Sequence, residues 1–293
     1  MVGAPSRPAP GSGLCQHDAM TTPVSPSSLP WPTAAPVLPV ATVRPLLERL
    51  ESLARRHPAD LALIPGLAQV DGEIAADPPP VLEQITDEFG GIAVHGRHDL
   101  DLLIEERGDI GPYTMLGEAT AFYPLHEGSD VAVILTLDAD GAPGAVYGIG
   151  EDLALRLAAT DLPGYLQRYA DALEAAVTGL DARVRELYGE KGAEDEELRA
   201  DVAEQLLDEH LYREILGMQE QDPSAVVPLV PVDARSSEGG TTPAPEGALA
   251  VADLRGAEPG ACVDVMDADL PGDPLEQRLV WQAGGLLVHV VES

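Results

Sequence analysis

Seven residues, Val131 to Leu137, constrain the fold more than any other stretch of this chain. Val131, Val133 and Leu135 alternate with Ala132, Ile134 and Thr136, so both faces of the run are largely apolar. Successive side chains of a strand point to opposite sides. Such a strand therefore belongs inside a sheet that is covered on both faces, and the expectation is that helices cover it. The run ends at Asp138-Ala139-Asp140-Gly141, a turn signal because glycine takes positive φ without a Cβ penalty, and a second strand follows from Gly144 to Ile149. Two helices frame this hairpin. One runs over Pro79–Phe89, capped by Asp77, with Gly90-Gly91 as its stop. The other runs from Asp161 to Val177 and carries Leu162, Tyr165, Leu166, Tyr169, Leu173 and Val177 at helical spacing. Helix, strands and helix on one sheet make an α+β layer arrangement, the sheet being antiparallel or mixed.

Three segments carry a family resemblance. Asp87-Glu88-Phe89-Gly90-Gly91 looks like a helix with a glycine-rich stop, Asp130 to Leu137 is similar to a central strand, and Asp161-Leu162-Pro163-Gly164-Tyr165-Leu166 looks like a closing helix. In that order they resemble the SUKH superfamily, which includes the yeast cell-wall assembly regulator and many bacterial immunity proteins. The resemblance covers residues 41–178. Two departures stand out: no tryptophan lies between residues 41 and 280, and Gly90-Gly91 replaces the more usual asparagine-glycine pair. The resemblance implies a protein-binding module without catalysis. It would be an immunity protein that blocks a nuclease-like toxin domain, or a regulatory scaffold.

Around this unit the chain divides readily. Residues 1–40 hold nine prolines, each of which removes a donor and fixes φ, so a disordered and dispensable leader is expected, with Met20 as an alternative start. Trp31 lies among those prolines and is read as a loose aromatic in the tail. Leu46, Leu47, Leu50, Leu53 and Ala54 form the apolar stripe of a first helix, which His57-Pro58 ends. Short extended pieces are expected at Leu61–Ile64, Ile92–His95, Asp99–Ile104 and Ala119–Tyr123. Residues 179–222 read as an acidic helical extension split at Gly189 and Gly192, its second half opened by Glu194-Asp195-Glu196-Glu197. Residues 223–248 read as a linker. Residues 249–293 read as a small β unit with strands Leu249–Leu254, Cys262–Met266, Arg278–Gln282 and Leu286–Val291, anchored by Trp281. About 45 residues are marginal alone, so this unit is expected to dock on the rest.

The formal net charge is −33, and acids outnumber bases 24 to 8 within residues 41–180 alone, so the acidity is not an appended tail. Such a surface repels nucleic acid and anionic membrane and favours encounter with a basic protein, although solubility alone explains the same balance. Lys191 is the one lysine among 17 basic residues, the codon habit of a high-GC genome such as an actinobacterium's. No apolar run approaches ~20 residues and no signal-peptide pattern opens the chain, so the cytoplasm is expected. Cys15 and Cys262 read as free thiols.

The search for chemistry finds no motif, and no cofactor is expected. His95-Gly96-Arg97-His98 lacks further ligands at metal spacing and reads as a turn, while His57, His126, His210 and His289 stand isolated. No Gly-x-Ser-x-Gly elbow is present, and Gly144 to Gly150 lacks the Lys-Ser/Thr ending of a phosphate loop. Asp130, Asp138 and Asp140 lack the following glutamate of a calcium loop. Loops on a rigid sheet commonly carry binding function, which makes the tip residues Asp138, Asp140, Glu151 and Asp152 the candidate partner contacts. The alternative is a metal-dependent hydrolase whose Asp/Glu site assembles only in three dimensions.

Overall fold

A computed structural model describes residues 31–32, 34–70, 76–104, 116–117, 119–128, 131–192, 194–219, 222–232, 243–266, 268, 270–272 and 276–292. The fold is α+β. The named elements are α1 (Arg44–Arg56), β1 (Leu61–Pro65), α2 (Glu83–Glu88), β2 (Phe89–Val94), β3 (Arg97–Asp101), β4 (Phe122–Glu127), β5 (Ala132–Leu137), β6 (Pro143–Ile149) and β7 (Leu155–Ala159). They continue with α3 (Leu162–Gly192), α4 (Glu196–Leu207), α5 (Arg213–Ile215), β8 (Val230–Pro231), β9 (Ala248–Asp253), β10 (Cys262–Val263), β11 (Gln277–Gln282) and β12 (Leu287–Glu292). The strands form three antiparallel sheets, ordered β1-β2-β3, β10-β7-β6-β5-β4 and β11-β12-β9-β8.

Every residue of β5 is buried, as its two apolar faces require. Val133, Leu135 and Leu137 join a core shared with the helices, while Ala132 and Ile134 join a second core shared with the C-terminal sheet. Helices therefore cover one face of the sheet and another sheet covers the other, where helices were expected on both. The C-terminal unit is held there by more than contact. β10 leaves it to pair with β7 through Cys262–Arg156 and Val263–Leu155, and the Tyr147 hydroxyl donates to the Gly285 carbonyl at 2.8 Å. Tyr147 also stacks on Trp281 with ring centroids 5.5 Å apart.

Several boundaries differ from the sequence reading. Trp31 is not a loose tail residue: it is buried, its indole N–H donates to the Asp77 carbonyl at 3.0 Å, and its ring meets Tyr123 edge-on at 6.1 Å. Ala35, Leu38 and Val40 pack against the same core, so packed chain is present from residue 31, ten residues before residue 41. Residues 1–30, with Cys15 and Met20, lie outside the described residues.

Gly90-Gly91 does not stop a helix but lies within β2. Gly91 sits at φ 148°, and a Cβ there would collide with the Leu100 carbonyl of the neighbouring strand, so only glycine lets β2 and β3 close up. The preceding helix is shorter than expected, a 3-10 turn at Pro80–Leu82 followed by α2. Residues Ala119–Ala121 form a 3-10 turn, and the strand begins at Phe122. The closing helix runs on through residue 178 to Gly192, with its kink at Gly189 (φ 73°), so the expected boundary falls inside α3. Asp195 caps α4 by accepting from the Glu197 and Leu198 amides, as the acidic run there suggests.

Candidate functional site

α3 places Tyr165 and Tyr169 one turn apart on its buried face. Both approach Asp99 on β3, whose Oδ2 accepts from the Tyr169 hydroxyl at 2.7 Å and from the Tyr212 hydroxyl at 3.1 Å. The Tyr165 hydroxyl lies beside that of Tyr212, but no group among the described residues meets it in hydrogen-bond geometry. Burial first, and the Asp99 charge second, push all three phenols above their ordinary value and keep them protonated. His126 on β4 stacks on Tyr212 at 4.6 Å, and its Nδ1 lies 2.8 Å from the Asp99 carbonyl. A carbonyl only accepts, so Nδ1 carries the proton.

Tyr212 ends a π-helical turn, Asp208–Tyr212, that links α4 to α5. Such turns insert an extra residue into a helix and recur at functional sites. This one brings both Asp208 and Tyr212 to a cleft of about 380 Å³ between the β3–β4 edge and the α4–α5 arm. Val94, Val131, Leu207, Leu216 and Met218 supply apolar wall, while Asp99, Glu127, Glu204 and Asp208 supply carboxylates. Glu204 is already paired, with Arg97 at 2.6 Å. Glu127 has one carboxylate oxygen, Oε1, buried without a hydrogen-bond partner among the described residues. A charged acceptor withdrawn from water without a donor costs about 1–3 kcal/mol or more. The Asp208 backbone is tied into the π turn, but its carboxylate makes no hydrogen bond or ion pair among the described residues. Burial first, then Glu204 and Asp99, raise its pKa, while Arg213 and His126 offset this in part. Among the described residues, then, neither of these carboxylates is held in an ion pair, although Arg213 and His126 act on Asp208 at longer range.

The four sequence-predicted contacts lie elsewhere and do not meet. Asp138 and Asp140 sit at the β5–β6 turn and Glu151 and Asp152 at the β6–β7 turn, so β6 separates the pairs by about 20 Å, at about 3.3 Å per residue. Asp138 accepts from the Asp140 and Ala142 amides at 3.0 and 2.9 Å and so builds the turn. Asp152 pairs in bidentate fashion with the buried Arg156 guanidinium; burial alone would raise its carboxyl, but the Arg156 pairing and the Ala154 amide together hold it below the usual range. Asp140 and Glu151 are exposed tips. Asp130 lies outside the described residues.

In the sequence His126 stands isolated, and Tyr165 and Tyr169 show only helical spacing in the closing helix. Nothing in it singles out Asp99, Glu127 or Asp208, and no spacing in the chain links them. Among the described residues the cleft lining holds no serine, threonine or cysteine, and no group of three His, Cys, Asp or Glu side chains is placed to hold a metal ion. His95 and Gly96 form the β2–β3 turn at φ 46° and 78°, as expected. Cys262 is free and buried. No helix among the described residues is long and apolar enough to cross a membrane. No protein-family model, curated protein or solved structure matches this chain.

Proposed function

We propose that the chain is a non-catalytic binding module of SUKH type that engages a basic protein in the cytoplasm. The observation that carries this reading is the cleft, where Glu127 and Asp208 lie on apolar walls without an ion pair among the described residues, in a chain of net charge −33. A receptor built this way gains most from a partner that brings positive charge, and long-range attraction speeds the encounter. Within the resemblance, the partner is a nuclease-like toxin domain, basic where it holds phosphate, and the bound chain occludes that surface. A regulatory scaffold of the same fold uses the same contact.

Affinity capture with the full chain from its native host, read by mass spectrometry, tests the reading. Basic proteins should dominate the specific fraction. For a captured partner, raising salt toward 1 M shortens the Debye length from about 10 Å to about 3 Å and should slow association at least about ten-fold. Dissociation should change less, because packed contacts govern it. Asp140→Lys and Glu151→Lys, both at exposed tips, report whether either end of β6 joins the contact. A neutral or acidic partner with a salt-independent on-rate would defeat the proposal.

A further inference from the structure

The geometry points to an arginine side chain of the partner as the occupant of the cleft between the β3–β4 edge and the α4–α5 arm. This rests on the binding reading above and names the chemistry of its contact. Two carboxylates line the space from different elements, Glu127 at the end of β4, with its Oε1 buried and unsatisfied among the described residues, and Asp208 at the start of the π turn. A planar guanidinium with five N–H donors can serve both at once, whereas an ammonium is a compact, strongly hydrated point charge.

The walls fit the rest of the side chain. Leu207, Leu216 and Met218 offer apolar surface along which a three-carbon stem can lie while its charged end reaches the acids. Met218, at 58% exposure, stands open at this wall. Among the described residues, the cations that line the cleft do not take the place. Arg97 is engaged by Glu204 at 2.6 Å, His98 by Asp101 at 2.7 Å, and the His126 Nδ1 by the Asp99 carbonyl at 2.8 Å. Asp99 itself is committed to two tyrosines, so Glu127 and Asp208 are the acids left for a ligand.

The test uses the full chain with ¹³C-methyl-labelled methionines and ¹⁵N-labelled histidines. Acetyl-arginine methylamide is the probe, with the citrulline and lysine analogues beside it. Citrulline keeps the shape of arginine and lacks its charge. We expect arginine to shift Met218 and His126 while leaving Met266, an exposed methionine away from the cleft, in place. Citrulline should bind at least about ten-fold more weakly, equivalent to about 1.4 kcal/mol, and lysine should fall between. Glu127→Gln with Asp208→Asn should weaken arginine by a similar factor. The citrulline comparison decides the matter even if that variant does not fold.

Equal shifts at Met218 and Met266 would mean general attraction to an acidic surface and would overturn the inference, as would equal binding of citrulline or of lysine. If the double variant loses arginine yet still binds a captured basic partner with unchanged affinity, the inference falls while the binding reading stands. If arginine shifts the cleft but the specific partners are neutral or acidic, the broader reading falls and the arginine site remains.

Discussion

Truncating Trp31 should unfold the protein at markedly lower denaturant, although Trp31 sits in a proline-rich segment that reads as expendable. A buried tryptophan withdraws about 150–250 Å² from water. At about 25 cal/mol per Å² this is worth about 4–6 kcal/mol, an upper bound because the unfolded chain already covers part of that surface. Aromatic-to-alanine changes in cores cost about 3–5 kcal/mol, and the same range is expected for Trp31→Ala. Trp31→Phe keeps a ring against Tyr123 and gives up the bond to the Asp77 carbonyl, so it should cost about 1–2 kcal/mol. For a chain of this size the unfolding entropy is about 0.5–0.6 kcal/mol per degree, so the alanine variant should melt about 5–10 °C lower. Urea titration at fixed pH, with the slope compared between variants, separates lost stability from a changed unfolded state. A loss below about 1 kcal/mol for Trp31→Ala, outside the range for buried aromatics, would show that the indole adds nothing to the core.

Ile134→Ala should cost about 2–5 kcal/mol by denaturant titration, because Ile134 is fully buried in the core shared with the C-terminal sheet; a loss below about 1 kcal/mol would place it outside that range. Asp152→Ala strips the buried Arg156 of its bidentate carboxylate and should cost about 3 kcal/mol, whereas Arg156→Met leaves only a half-exposed acid and should cost less. The reverse order would contradict the burial argument. Burial lowers the pKa of His95 below 6.5, with Arg199 and Arg97 acting in the same direction and Asp60 and Glu196 against it. Its contribution to stability is therefore complete above the unfolded-state value and is lost as pH falls through the folded one. His95→Asn, which tolerates the positive φ, should lessen the stability lost between about pH 7 and pH 5; an unchanged loss would refute this.

The legible parts of the fold are those with local causes. The stripe Leu47, Leu50, Leu53 and Ala54 marked α1, the two-faced run marked β5, and Asp195 marked the start of α4 through its own side chain. The misread parts depend on distant partners. Gly90-Gly91 looks like a stop until Leu100 is seen across the ladder, and Trp31 looks loose until Asp77 receives its N–H. Cys262–Val263 was readable as extended chain, but nothing nearby says that its neighbour is β7. The cleft was the least legible feature. Its Asp99–Tyr212 bond spans 113 residues, and Glu127 and Asp208 belong to segments with no shared period. Fifty acids in the sequence also hid the two that matter.

The pairing of β10 with β7 bears on how the chain emerges from the ribosome. β7 is complete about 100 residues before its outer neighbour exists, an interval of roughly 5–20 s at usual synthesis rates. Throughout that interval the growing polypeptide presents an unpaired strand edge beside the uncovered Ala132, Ile134 and Tyr147 face. Such surfaces invite pairing with other nascent chains. Stop codons or ribosomal stalls before residue 262 should therefore yield insoluble product that a chaperone holding apolar segments can rescue. Missense changes within the C-terminal sheet should show the same dependence, because they too leave that face without its cover.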